Sequence, residues 1–355
     1  MDSVQPLVIV QSSISAFQIP FIKSFSFAGN ILTQRTGFYL TLISADGFSV
    51  RSEASPLPGV SLETLKHCRH ELEEIQKHLK KLKLSNEKDS LIDQLSKDSL
   101  IRDLCPSVRF AVESACFLLA AKSQDLSLAE FLESKLVDVP SAALLQGTYD
   151  QVIADAKQLV GAGVKVFKLK VGDRNIPLDV KKVQGLKKII PKDGLLRLDG
   201  NRVWSLKEAL LFVELVGRER IEFMEEPLSD ISKLNEFYQQ THMPLALDET
   251  LSVLKCGITA PGRCSPTLAN HEGVKAYILK PMLLSFLGTL LWIQEARSLG
   301  KKAIISSSFE SAVGIKILAN LAIVTEQIPG LGTARWLNTE HLVNTQGVIS
   351  KDFLR

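Results

Sequence analysis

The chain of 355 residues predicts an α/β barrel, a modified TIM barrel of (β/α)7β form, with an α+β capping domain in front of it. Three observations predict it. From Ser141 onward, short apolar runs alternate strictly with helical stretches. Five of those runs lead into an ionisable residue, namely Lys170, Asp199, Glu225, Asp248 and Lys280, at intervals of 29, 26, 23 and 32 residues. One strand with its helix and loops takes up about that much chain, ~30 residues. Before Ser141 the order differs: strand-like segments come first and helices follow, as in an α+β unit.

Residues 1–50 carry short alternating or apolar runs, with Leu7–Val10 as the first strand and Phe38–Ser44 as another. Breaks at Gly29-Asn30 and Asp46-Gly47 predict a small antiparallel sheet with hairpins. Ser55-Pro-Leu-Pro-Gly59 is a rigid loop, and Ser61 is placed to cap the helix that follows. Residues 61–135 are mostly helical. Glu71–Leu84, dense in Glu and Lys, reads as a solvated helical face. Pro106 starts the next helix, whose Phe110–Ala121 stretch is small and apolar.

The barrel strands are expected at Ala142–Leu145, Lys165–Val171, Leu195–Asn201, Ile221–Glu226, Leu245–Glu249, Ala276–Lys280 and Ala303–Ser308, with a weak one near Leu331. Ser205–Val216, Ser285–Ser298 and Ala312–Thr325 are among the helices between them. The expected division is a capping domain over 1–135, a barrel over 136–335 and a return segment over 336–355 that packs on the capping domain. Lys255–Asn270, rich in Gly, Pro and Ser, reads as an extended loop.

Composition sets the class. With 45% apolar and 23% charged residues, the chain is ordinary for a soluble globular protein. A net charge of +3 gives no electrostatic case for nucleic acid or an anionic membrane. The five cysteines, Cys68, Cys105, Cys116, Cys256 and Cys264, form no Cys-x-x-Cys pair, so neither a zinc site nor a disulfide framework is suggested and free thiols in a reducing compartment are expected. No basic leader and no run long enough to cross a bilayer are seen, and a cytoplasmic location is the expectation.

The charged strand ends carry the chemistry. Parallel strands are covered on both faces, where an unpaired charge is costly. Five such charges in succession are hard to explain as structure alone. In a barrel the C-terminal strand ends share one face, where the active site lies. Asp199, Glu225 and Asp248 then converge as three hard oxygen ligands suited to Mg²⁺. Lys168 and Lys170 are two apart and share a strand face, while Lys280 faces them from the other side. Each lysine of the first pair should depress the other's pKa, as should burial, so one can serve as a general base. Glu226 and Glu249 should point away from the ligand face as supporting or structural groups.

With these residues in view, the chain resembles the enolase superfamily, in its muconate-lactonizing-like branch, whose lysine bases and Mg²⁺ are a known pattern. Within the branch it is similar to the o-succinylbenzoate synthases of menaquinone and phylloquinone biosynthesis. Glu53–Gly59, Pro106–Phe110, Leu196–Arg202, Ile278–Met282, Ser306–Ser311 and Pro329–Gly332 carry that likeness. The resemblance implies a lyase that dehydrates 2-succinyl-6-hydroxy-2,4-cyclohexadiene-1-carboxylate to 2-succinylbenzoate. It implies Lys170 as base, Lys280 and Lys168 as the other catalytic lysines, and Mg²⁺ (Mn²⁺ as a substitute) on Asp199, Glu225 and Asp248. Arg197, Asn201, Ser306, Ser307, Ser308 and Gly330 are the expected substrate-binding residues, the serines and Gly330 either through backbone amides or as small residues that merely allow close packing. The loops Phe25–Arg35 and Ser55–Gly59 should close over a small carboxylate substrate, with Phe25 and Phe27 as shields or core.

Three departures stand out: Ser52 where glycine is usual, Gly332 where an acidic residue is frequent, and the long 255–270 loop. Two other readings stay open at this point. One is an N-succinylamino acid racemase or dipeptide epimerase of the same superfamily, although Gly330-Leu-Gly-Thr333 offers no acid for an amino group. The other is a barrel without catalysis.

Overall fold

A computed structural model describes residues 6–27, 30–172, 175–253, 271–337 and 347–355. The 255–270 loop, with Cys256 and Cys264, lies outside the described residues, and so do the side chains of Phe25 and Phe27.

The capping domain starts with β1 (Leu7–Phe27), β2 (Asn30–Ser44) and β3 (Ser49–Ala54), joined by β4 (Lys83–Leu84) in an antiparallel sheet ordered β3-β2-β1-β4. The expected alternation is there, but β1 runs far beyond Val10, pairing with β2 from Ile9 to Phe27. Helix Leu65–Leu79 buries Cys68, Leu72, Ile75 and Leu79 on one stripe, at the spacing of an amphipathic helix, and exposes much of its Glu and Lys. Its cap is Thr64, whose hydroxyl accepts from His67 N, so the expected cap at Ser61 is corrected. The Ser61 hydroxyl instead accepts from Leu57 N at 2.8 Å and ties down the 55–59 loop. Helix Pro106–Lys122 is buried on nearly every side, which its run of Ala, Ser and Phe permits.

After β5 (Val139–Pro140) come the barrel strands β6 (Ala143–Leu145), β7 (Val166–Lys170), β8 (Leu195–Asp199), β9 (Ile221–Glu225), β10 (Leu245–Leu247), β11 (Val274–Leu279) and β12 (Lys302–Ile305). They form one parallel sheet in chain order. The eighth position is a single parallel bridge, Ser306 to Gly330. Gly330 N donates to Ile305 O on one side, and Ala142 N donates to Pro329 O on the other, both at 2.8 Å, and the ring is closed. A Cβ on Gly332 would lie 2.7 Å from Ala142 O, so this closure requires glycine. That is a physical reason for Gly332 where an acidic residue was the expectation.

Helices follow the strands because the sequence caps them well. Thr148 with Gln151 and Ser205 with Glu208 form reciprocal capping boxes at the starts of helices Tyr149–Gly161 and Leu206–Val216. Inside the ring, Phe223, Ala246, Ala276, Ile278 and Ile304 fill a layer of their own. Among the described residues, no helix is long and apolar enough to cross a membrane.

Among the described residues, the return segment meets the capping domain near its start, where Leu337 bridges Phe21. Its later part turns elsewhere: β13 (Val348–Ile349) pairs with β5, and Asn320 of helix Ala312–Thr325 donates to Leu354 O. At its end the segment comes back to the capping domain, where the Arg355 charge acts on Glu130.

Candidate active site

Lys170, Asp199 and Glu225 are the last residues of β7, β8 and β9, and register pairing sets them side by side across the sheet. Asp248 and Lys280 each stand one residue past the end of β10 and β11. All five expected residues therefore lie at the C-terminal end of the ring. Asp199, Glu225 and Asp248 are buried.

The charges answer one another. Lys168 Nζ lies 2.9 Å from Asp199 Oδ2 and 2.8 Å from Glu225 Oε2. Lys280 Nζ bonds Asp248 Oδ2. Lys170 Nζ donates to Asn201 Oδ1 at 3.4 Å. Burial pulls the Lys168 ammonium down, but Asp199, Glu225 and Asp248 outweigh it and its pKa is raised. Lys280 likewise goes up, as Asp248 and Glu249 overcome burial. Lys170 goes down: burial dominates, and the Lys168 and Lys280 charges add to it against the pull of Asp199. The expectation that Lys168 and Lys170 are both depressed is corrected for Lys168, because that ammonium sits between two carboxylates. Of these three lysines, Lys170 is the one held below its usual range.

Three buried carboxylates around Lys168 and Lys280 also test the expected cation. Burial, and behind it Asp199, push the Glu225 carboxyl well above its usual range, with Asp248 adding to the rise and Lys168 and Lys280 opposing it. Asp199 is held low, since Lys168 and Lys170 overcome its burial. A carboxyl that protonates because other anions crowd it is one that a divalent cation would ionise. The all-oxygen donor set is that of a hard ion. The residues fit Mg²⁺.

A supporting residue sits behind the ligands. Glu226 Oε1 accepts from Asp248 N and Thr250 N, both at 2.9 Å, and its Oε2 accepts from Arg202 Nε at 3.0 Å. It fixes the turn that presents Asp248. Burial and the Asp248 charge push Glu249 up to about 7.

The expected substrate-binding residues fare differently. Asn201 lies beside Lys170, but it reaches there from a turn past the end of β8, with a φ of 43°, and not by strand parity. Arg197 faces the barrel interior but is turned away from the open end. Its Nε bonds Glu222 Oε2 at 2.7 Å, its Nη1 donates to Ile328 O at 2.8 Å, and the guanidinium lies over the Phe223 ring. A register irregularity between β8 and β9 makes Glu222 an extra residue opposite Arg197, which lets it reach inward. The amides expected to hold a carboxylate are engaged: Ser306 N donates to Leu279 O, Ser307 N to Gly330 O, Ser308 N to Glu310 Oε2 and Gly330 N to Ile305 O. That expectation is corrected, because closing the barrel uses the amides of Ser306, Ser307 and Gly330, and the Glu310 carboxyl takes that of Ser308. Gly330 leaves room for Ser306 Oγ, which would lie 3.2 Å from a Cβ there.

Sequence reasoning missed a buried polar seam between the capping domain and the barrel. Arg35 donates from Nε to Phe309 O at 3.2 Å, from Nη1 to Pro56 O at 2.7 Å, and from Nη2 to Ser55 O. Glu53 accepts from Ser55 Oγ at 2.7 Å, Ser311 N at 3.1 Å and Gly314 N at 3.0 Å, and also from Ser311 Oγ. A Cβ on Gly314 would lie 2.8 Å from Glu53 Cδ, so glycine there admits the carboxylate to the helix start. Glu310 is fully buried, and burial with the Glu53 charge pushes it up to about 7. Above this seam, Phe21, Leu32, Leu57, Phe309 and Leu337 form a small apolar cluster that seats the 55–59 loop.

Comparison with known proteins agrees with this fold. Residues 151–255 match the family model "Enolase C-terminal domain-like". Protein PHYLLO, chloroplastic, of Arabidopsis thaliana is 29% identical over 354 residues, covering 90% of this chain, which spans 20% of that protein's length. An o-succinylbenzoate synthase of Vibrio cholerae is 32% identical over 329 residues, covering 89% of this chain and 87% of its own. In fold, the chain superposes on a dipeptide epimerase of Enterococcus faecalis, complexed with Mg and a dipeptide, with a TM-score of 0.80 at 20% identity over 97% of each chain. With the ionisable residues on successive strand ends and a relative of that likeness over nearly its whole length, the chain belongs to the o-succinylbenzoate synthase family of the enolase superfamily.

Proposed function

We propose that the chain dehydrates 2-succinyl-6-hydroxy-2,4-cyclohexadiene-1-carboxylate to 2-succinylbenzoate, as a carbon–oxygen lyase. The observation that carries the reading is the geometry of the lysines at the strand ends: Lys168 lies between Asp199 and Glu225 and Lys280 bonds Asp248, whereas Lys170 Nζ reaches the neutral Asn201 amide. One lysine is thus fitted to take a proton and two to remain cations. Asp199, Glu225 and Asp248 would hold Mg²⁺, which supplies positive charge to the substrate carboxylate. Lys170, neutral, removes the ring proton α to that carboxylate. Charge then grows on the carboxylate oxygens, where Lys168 and Lys280 provide ammonium groups. The protonated Lys170 returns its proton to the hydroxyl leaving on the same face, so water departs and the ring becomes aromatic. Glu226 keeps Asp248 in place, and the 55–59 loop covers the substrate from the capping side.

The test is to mix the purified protein, the cyclohexadiene carboxylate and Mg²⁺, and to follow the loss of ultraviolet absorbance on aromatisation. Turnover is expected, falling by ~10²-fold or more when the metal is chelated and returning when Mg²⁺ is restored. Failure to turn over this substrate while Mg²⁺ is bound would sink the reading. Proton exchange at the α-carbon of N-succinyl amino acids would then favour a racemase.

A further inference from the structure

Far along the chain from the strand ends, helix Leu65–Leu79 meets the start of helix Pro106–Lys122, and a second cluster of ligating groups collects there. Glu63, Cys68 and Cys105 offer one ligand atom each within 4.8 Å of one another, and His67, Glu71 and Cys105 form a second such group. The two groups share Cys105. Cys68 Sγ and Cys105 Sγ are 3.9 Å apart. A disulfide needs about 2.05 Å between sulfurs. Two thiolates on one tetrahedral zinc, with Zn–S bonds of ~2.3 Å, stand ~3.8 Å apart. The observed spacing is one that two sulfurs sharing an ion also adopt; without an ion it is a thiol–thiol contact, with Ser107 Oγ 3.1 Å from Cys68 Sγ.

The carboxylates are already oriented from behind. Glu63 Oε1 accepts from Ser107 N at 3.0 Å, and Glu71 Oε2 accepts from Cys105 N at 2.9 Å. Hydrogen bonds of this kind commonly fix ligating carboxylates. His67 Nε2 lies 2.8 Å from Glu71 Oε1. Cys68 is fully buried, whereas Cys105, Glu63 and Glu71 are half-buried and His67 is exposed, so the cluster has a solvent side for entry. What points to an ion is the gathering of two sulfurs, two carboxylates and an imidazole in one place, since helix capping and thiol hydrogen bonds would need none of the others nearby.

We propose that Glu63, Cys68 and Cys105 bind one borderline divalent cation of the Zn²⁺ class, with the fourth position filled from the His67–Glu71 pair. The mixed sulfur, nitrogen and oxygen set separates it from the all-oxygen set at the strand ends. The ion would pin the root of the 55–59 loop, because Glu63 lies two residues past Ser61.

The test uses the full chain, reduced, stripped of metal and then saturated with Mg²⁺ so that the strand-end carboxylates are occupied. Co²⁺ is titrated in, followed by Zn²⁺. One equivalent of Co²⁺ with a thiolate-to-cobalt charge-transfer band is expected, displaced by Zn²⁺ and accompanied by a higher melting temperature. The band should vanish in Cys68→Ala and Cys105→Ala and persist in Cys256→Ser/Cys264→Ser. Glu63→Gln, which spares the buried core, should weaken Zn²⁺ binding on the order of ten- to a hundredfold. No band in folded wild-type protein, or a band indifferent to Cys68 and Cys105, overturns the site. So does recovery of the two cysteines as a disulfide whose reduction restores no metal binding.

Discussion

Two regions of this molecule bury charge, and they do so in different ways. At the strand ends, Lys168 and Lys280 bond carboxylates of other side chains. At the seam, Arg35 bonds carbonyls of Ser55, Pro56 and Phe309, while Glu53 bonds amides and hydroxyls of Ser55, Ser311 and Gly314. Side-chain ion pairs can be exchanged for a cation and a substrate carboxylate without unfolding anything. Backbone partners cannot move without moving a strand or a helix. The first arrangement suits chemistry, and the second joins two domains. Each is costly to break, but the cost should appear in different measurements.

The largest effect belongs to the exchangeable cluster. Lys170→Ala should lower kcat by ~10³- to 10⁴-fold, the scale of a lost general base, with circular dichroism and melting temperature nearly unchanged. The wild-type pH profile sharpens this. The base works neutral, so activity rises with pH as Lys170 loses its proton. Because its pKa is lowered, that rise should lie below the ~10.4 of an ordinary lysine. A rise centred at 10.4 or above would contradict the placement of Lys170 beside two other cations.

At the seam the loss should be in stability. Glu53→Ala leaves two amides and two hydroxyls without their acceptor, and should cost about 3 kcal/mol in urea unfolding, with KM raised more than kcat is lowered. Glu310 gives the seam a pH dependence. Its carboxyl is raised from 4.5 to about 7 in the folded chain. The folded state therefore binds the proton more tightly, and the stability this brings is complete below pH 4.5 and lost as pH rises to 7. Over that window, stability should fall by roughly 3 kcal/mol from this group and stay level above it. Glu310→Gln should remove that part of the slope. An unchanged slope would mean that Glu310 is ionised throughout.

Much of the fold could be read from the chain because the barrel repeats a local pattern. Each apolar run leads into its ionisable residue after one strand's length, so Lys170, Asp199, Glu225, Asp248 and Lys280 could be aligned without any knowledge of contacts. The seam had no such signal. Arg35 and Phe309, or Glu53 and Ser311, are separated by most of the chain, and no periodicity links them. Ser306, Ser307 and Gly330 were placed at the right strand ends, but the use of their amides depended on how the eighth position closes. Parity put Arg197 on the correct face, and the extra residue Glu222 decided its depth.

Arg197 supplies the smallest and most discriminating test, since it is a charge of the barrel interior with partners of both kinds. Its guanidinium bonds the Glu222 carboxylate and the Ile328 carbonyl, and Lys302 Nζ also bonds Glu222, at 2.6 Å. Breaking a buried pair by removing one member ordinarily costs ~3–5 kcal/mol. Here Lys302 still answers Glu222, so Arg197→Met should cost only about 2 kcal/mol, with KM within about twofold of wild type. If Arg197 instead touched substrate, the pattern would invert: KM would rise tenfold or more while urea unfolding hardly moved. The two outcomes separate a charge that holds strands β8 and β9 in register from one that holds a ligand.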